Sequence, residues 1–186
     1  MRIISGFLKG KKIKYLKNKI TRPLKDSVKE NIFNILKHSN LINIKIDKSN
    51  VLDLYSGIGS FGIECISRSA GKVTFIEKDE NALKTLKENL INLSIFNRAK
   101  IIAGEIEKEL KKKRDEKFNL FFLDPPFADS SFIENLKMIK QSKIFSKNHL
   151  IIIHRNKNSN EDFKKFFQII ITKNYGRSKI IFGAFN

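Results

Sequence analysis

Four consecutive residues, Asp124-Pro125-Pro126-Phe127, follow the apolar run Leu120-Phe121-Phe122-Leu123. In open α/β sheets ligands bind at the carboxyl ends of strands, so this tetrapeptide is placed for chemistry. Two prolines fix the backbone after the acid and remove two N–H donors. The polar groups left are acceptors, the Asp124 carboxylate and the Pro125 carbonyl, with the Phe127 ring beside them. Such a set suits a planar exocyclic amine, which offers two hydrogens and a ring to stack.

A second cluster lies upstream. Val51-Leu52-Asp53-Leu54-Tyr55 runs into Ser56-Gly57-Ile58-Gly59-Ser60-Phe61-Gly62, a G-x-G-x-x-G between a strand and a helix, and Glu77 ends the next apolar run. That context describes a nucleoside-cofactor site, with Glu77 able to accept from both ribose hydroxyls. The loop leaves a dinucleotide and S-adenosylmethionine both open. Asp53, an acid inside the strand, leans toward the methyl donor, because it can engage the amino-acid end of that cofactor through bound water or loop amides.

Positioning these residues requires an alternating chain. Residues 51–55, 73–76, 101–103, 120–123 and 150–153 are short apolar runs of the kind that parallel sheets bury on both faces. Helical stretches at 61–69, 79–92, 105–113 and 131–141 separate them, which predicts a doubly wound α/β sheet. Residues 166–185, broken at Asn174-Tyr175-Gly176, read as an antiparallel hairpin. Ahead of the sheet, Arg2–Gly6 and Lys11–Tyr15 predict short strands around a glycine turn, and Asp26 caps a helix with Val28, Ile32, Phe33, Ile35 and Leu36 at helical spacing.

Charge points to the partner. The 186 residues carry 37 Lys and Arg against 19 Asp and Glu, a net charge of +18. Residues 1–37 hold eleven bases and two acids, half of that excess in a fifth of the chain. An AT-biased coding sequence enriches lysine everywhere but does not concentrate it, so a polyanionic partner is expected at the N-terminus. The segment is expected to hold too little apolar content to be a core element. One cysteine, Cys65, excludes an internal disulfide, and no apolar run approaches the roughly 20 residues of a membrane span. A cytoplasmic monomer without a metal is expected. His38, His149 and His154 are expected at the surface or at strand ends rather than in catalysis, and Cys65 in the core.

These motifs resemble the amino-methyltransferases of the class I S-adenosylmethionine-dependent superfamily. Arg2-Ile3-Ile4-Ser5-Gly6, Lys9-Gly10-Lys11-Lys12-Ile13, Thr21-Arg22-Pro23, the run Asp26 to Leu36 and Tyr175-Gly176 make the chain similar, over almost its whole length, to the RsmD family. That family methylates the N2 amine of a guanine in small-subunit (16S) ribosomal RNA. The resemblance implies a Rossmann-like α/β fold, a mostly parallel seven-stranded sheet ending in an antiparallel hairpin, in residues 39–186. Residues 1–38 are then a basic RNA-binding extension of hairpin plus helix. The expected catalytic residues are Asp124, Pro125, Pro126 and Phe127, and the expected S-adenosylmethionine contacts are Asp53, Tyr55, Gly57, Gly59, Gly62, Glu77, Lys78, Glu105 and Ile106. Lys9, Lys11, Lys12, Lys14 and Arg22 are expected on the RNA, within a small subunit or its assembly intermediate. The chain departs from the family pattern at Leu24, Ser27 and Glu105; Lys25 or Lys29 can replace the base missing at Ser27, and Glu105 can still reach an adenine amine.

Two other functions compete. An adenine-N6 methyltransferase acting on DNA uses the same tetrapeptide, but 186 residues leave little room for a target-recognition region. A non-catalytic basic RNA-binding protein would have no need of intact Gly57, Gly59, Glu77 and Asp124.

Overall fold

The computed structural model describes residues 1–16, 24–163 and 166–186. Its elements follow in chain order: α1 (Asp26–His38), β1 (Asn50–Leu54), α2 (Ser60–Ser67), β2 (Lys72–Glu77), α3 (Glu80–Asn92), β3 (Ala99–Ala103), α4 (Ile106–Leu110), β4 (Phe118–Leu123), α5 (Phe132–Ser142), β5 (Phe145–Asn156), β6 (Phe167–Tyr175) and β7 (Ser178–Phe185). The seven strands lie in the order β3-β2-β1-β4-β5-β7-β6. The first five pair in parallel, and β7 enters antiparallel between β5 and β6. This is the mostly parallel Rossmann-like sheet with a C-terminal hairpin that the residue pattern predicts. Chain direction splits between β1 and β4, the switch point at which such sheets open a crevice.

Alternation along the strands sorts the two faces. Val51, Val73, Phe75, Leu120, Phe122, Leu150, Ile152, Ile180 and Phe182 bury one face under α1, α2 and α3. Leu52, Leu54, Phe121, Leu123, Ile151, Ile153 and Ile181 bury the other against residues of α4 and α5. Continuing the period of two, Asp53, Asp124, His154 and Ser178 fall on the first face.

The N-terminal segment corrects an expectation. A single antiparallel bridge, Arg2 with Lys12, closes its turn, so the short strands are reduced to one pairing. Ile3, Leu8 and Ile13 are buried in the core of the first face, each contributing about 1.5–3 kcal/mol by leaving water. The backbone is tied down too: Ile4 and Ser5 N–H donate to Glu64, Leu8 N–H donates to Ser67 Oγ, and Lys14 N–H donates to Asn89 Oδ1. Residues 1–16 and α1 therefore share the core of the sheet they cover.

Lys29 is a second correction. It is 0% exposed, its Nζ donating to the Arg2 carbonyl at 3.0 Å and lying 3.7 Å from Glu64. It ties α1 to α2 and cannot replace a base on RNA.

Among the described residues, no helix is long and apolar enough to cross a membrane.

Candidate active site

A cavity of about 640 Å³ opens at the carboxyl ends of β1, β2, β3 and β4, within the range that holds a drug-sized ligand. Its walls bring together both clusters read from the sequence: Asp53, Tyr55, Gly57, Glu77, Lys78, Glu105 and Ile106 on one side, Asp124, Pro125, Pro126 and Phe127 on the other. Phe61 and Phe122, stacked 4.0 Å apart at 12°, line it between them.

The glycine loop is built for close approach. Gly59 caps α2 at φ 82°, where a Cβ would lie 2.4 Å from Leu86. Gly62 is not a lining residue; a Cβ there would meet the Phe75 ring at 2.3 Å, so its role is to let α2 lie against β2. Gly62 N–H donates to the buried Asp53 carboxylate at 2.9 Å. Burial pushes the Asp53 carboxyl well above the ordinary carboxylate range; the Gly62 N–H opposes this, and the charges of Asp124 and Glu77 reinforce it.

Glu77 organises the loop as well as facing the cavity. One oxygen accepts from Gly57 N–H at 2.7 Å, and the other from Lys78 and Asp79 N–H at 2.8 and 2.9 Å. A carboxylate with about four acceptor sites has capacity left for a ligand hydroxyl. Tyr55 turns out of β1 at φ 58°, and its hydroxyl accepts from Asn135 Nδ2 of α5 at 2.8 Å. Glu105 is exposed and paired with Lys108 at 2.9 Å, which holds its carboxyl below the ordinary value.

Asp124 extends β4 by one position, and His154 extends the parallel register of β4 and β5 in the same way, Leu123 lying opposite Ile153. His154 Nδ1 meets Asp124 Oδ1 at 2.7 Å, and His154 Nε2 meets Ser178 Oγ at 2.9 Å. The Phe127 ring stands edge-on to the imidazole at 5.5 Å. Arg155, on the opposite face of β5, donates to the carbonyls of Pro126 at 3.0 Å and Phe127 at 3.1 Å, stacks on Phe132, and pairs with Glu161 at 2.6 Å. Sequence reasoning missed these contacts of His154 and Arg155 with the Asp124–Phe127 turn. The signal was a polar pair after Leu150–Ile153, matching the acid after Leu120–Leu123.

The basic residues divide. Lys9, Lys11, Lys12 and Lys14 are exposed and do not line the cavity, and Lys14 pairs with Glu88 at 3.1 Å. Tyr15, Leu16, Leu24 and Lys25 form part of the cavity wall instead. Arg22, with Thr21 and Pro23, lies outside the described residues.

A glycine loop after β1 and an acid-proline-proline-aromatic turn after β4, flanking the switch point of this sheet, define the class: the Rossmann-like fold of class I methyltransferases. Solved structures agree. A candidate methyltransferase of Escherichia coli superposes with TM-score 0.84 and 26% identity over 98% of this chain and 96% of that one. A candidate methylase of Haemophilus influenzae gives TM-score 0.77 and 30% identity over 98% and 96%. The family described as Conserved hypothetical protein 95 matches residues 1–184, and the chain belongs to it, as the RsmD resemblance implied. Its relatives include Ribosomal RNA small subunit methyltransferase D of Buchnera aphidicola from Acyrthosiphon pisum, 32% identical over 93% of this chain and 83% of that protein. The Haemophilus influenzae protein of the same name is 34% identical over 84% and 79%.

Proposed function

We propose that the chain transfers a methyl group from S-adenosylmethionine to the exocyclic N2 amine of a guanine in 16S ribosomal RNA. The observation that carries this reading is that Asp124 and Pro125 line the same cavity as Asp53 and Glu77. The rRNA methyltransferase names of the relatives support the substrate class.

The residues fit such a donor. Glu77 has acceptor capacity for the ribose hydroxyls, Asp53 and Gly57 would take the amino-acid end, and Ile106 and Glu105 would hold the adenine. When bound, S-adenosylmethionine supplies a methyl group on a positively charged sulfur. The protein's part is to aim a weak nucleophile at it. The N2 lone pair is delocalised into the guanine ring, and Asp124 and the Pro125 carbonyl can hold both amine hydrogens so that the nitrogen pyramidalises toward the methyl group. Positioning of this kind is worth up to roughly 7–11 kcal/mol in well-aligned systems. Asp124 also opposes the positive charge that develops on nitrogen, an interaction strongest in the transition state. Phe127 stacks the extruded base, for about 1–3 kcal/mol.

Residues 1–38 serve as the RNA-grasping part of the same machine, with Lys9, Lys11, Lys12 and Lys14 on phosphates. The test is to map methylated guanines in ribosomal RNA from cells lacking the gene and to restore them with purified protein. One guanine that loses and regains its N2 methyl group is expected; an unchanged map, or transfer into DNA adenine instead, would overturn the reading.

A further inference from the structure

The proposed reading sets the Asp124 carboxylate against the amine, and the structure places a histidine on that carboxylate and a serine behind the histidine. The three side chains come from β4, β5 and β7 and lie on one face of the sheet. His154 Nδ1 is 2.7 Å from Asp124 Oδ1, and His154 Nε2 is 2.9 Å from Ser178 Oγ. The imidazole is 10% exposed and the carboxylate 22%, so the pair borders the cavity without being freely solvated.

Hydrogen-bond chemistry gives this chain a direction. A carboxylate only accepts, so the imidazole proton sits on Nδ1, and in the neutral ring the Ser178 hydroxyl donates to Nε2. His154 then holds Oδ1, and an amine entering the cavity meets Oδ2. Protonation of the ring reverses the Ser178 bond and turns Nδ1–H into a full cation against Asp124. A carboxylate paired with an adjacent cation has less negative charge to offer the amine and the developing positive nitrogen.

We propose that His154, oriented by Ser178, is a positioning residue that aims Asp124 at the amine and makes methyl transfer fall off at acid pH. The proposal rests on the methyltransferase reading of the cavity. Tyr175 at the end of β6, Arg177 of the β6–β7 turn, Asp53 and Glu77 line the same cavity as the ring. The guanidinium of Arg155 points to the other face and is paired with Glu161.

Two measurements test this. The first needs no substrate: imidazole NMR of the full chain across pH, with the His154 resonances identified by their loss in His154→Gln. Asp124→Asn is expected to move the His154 imidazole resonances, because Nδ1–H loses its carboxylate acceptor; unmoved resonances would overturn the pairing. The second is the pH dependence of kcat with 16S RNA. His154→Gln keeps an uncharged N–H donor, so it is expected to lower kcat at high pH only about threefold while flattening the acid limb. His154→Ala is expected to lower kcat at least about tenfold, with donor affinity and RNA KM unchanged. An acid limb retained in His154→Gln, or a native kcat in His154→Ala, would overturn the proposal. If the NMR coupling is present but the wild-type chain transfers no methyl group to RNA, the methyltransferase reading falls, and with it the role given to His154.

Discussion

Arg155 donates to the Phe127 carbonyl at 3.1 Å from a strand two places away from the glycine loop. With its second bond to the Pro126 carbonyl, the planar fork fixes the two peptide units that follow the second proline. The Pro125 carbonyl is not among those it takes. Arg155→Lys keeps the charge but not the fork, so the tetrapeptide should loosen. A shift of about 1 Å at a reacting group can cost on the order of 10²-fold in rate, and a fall of 10- to 100-fold in kcat is expected with donor affinity unchanged. Steady-state kinetics and calorimetry on the variant check this; an unchanged kcat would show that Phe127 and the prolines hold their shape alone.

Lys29 should behave as a core residue. Burial lowers its pKa, and Glu64 and Asp26 oppose that shift. Lys29→Met leaves Glu64 with the Ile4 and Ser5 N–H groups and, among the described residues, Arg68 as its one cation, and breaking a buried pair typically costs about 3–5 kcal/mol. Chemical denaturation should register that loss while RNA affinity of the folded fraction stays unchanged. Weakened RNA binding at undiminished stability would return Lys29 to the RNA.

Asp53 trades stability for a site. Its carboxyl is raised well above the ordinary value by burial. A raised acid binds more protons in the folded state than in the unfolded one, so stability falls as pH rises from the ordinary carboxylate range toward the raised value. Asp53→Asn can still accept from Gly62 N–H and has no charge to bury. It is expected to raise Tm at neutral pH, to remove that slope, and to weaken donor binding. A lower Tm at neutral pH would mean that the buried charge is a net stabiliser.

The basic turn is best tested by charge rather than by deletion. Removing the segment would strip Ile3, Leu8 and Ile13 from the core and Tyr15 and Leu16 from the cavity wall. Lys9→Gln, Lys11→Gln and Lys12→Gln together change exposed groups only. If all three neutralise phosphates, the log-log salt slope of RNA binding should flatten by roughly 2 units. An unchanged slope would make them solvated lysines without a partner.

The site was legible where chemistry follows a strand end. The apolar runs before Asp53, Glu77 and Asp124 located three carboxylates on one cavity, because parallel strands deliver their last residues to a common edge. His154 and Arg155 carry the same signal after the apolar run of β5, but their use depends on β5 lying beside β4, a fact of strand order and not of local pattern. The N-terminus misled for a related reason. Ile3, Leu8 and Ile13 follow neither a period of two nor of 3.6; a loop pinned by Glu64, Ser67 and Asn89 turns them inward. Lys29 reads as a base free to replace the one missing at Ser27 until Glu64 is seen beside it.

The proposed reading has Asp124 act on the amine and not on the donor. Asp124→Ala separates the two, with single-turnover transfer of labelled methyl to 16S RNA measured beside donor affinity by calorimetry. Losing a charged acceptor aimed at transition-state charge should cost about 2.7–4 kcal/mol, a fall of roughly 10²- to 10³-fold in rate, at nearly unchanged donor affinity. Near-normal transfer by this variant, or a loss explained by failure to bind the donor, would contradict the account.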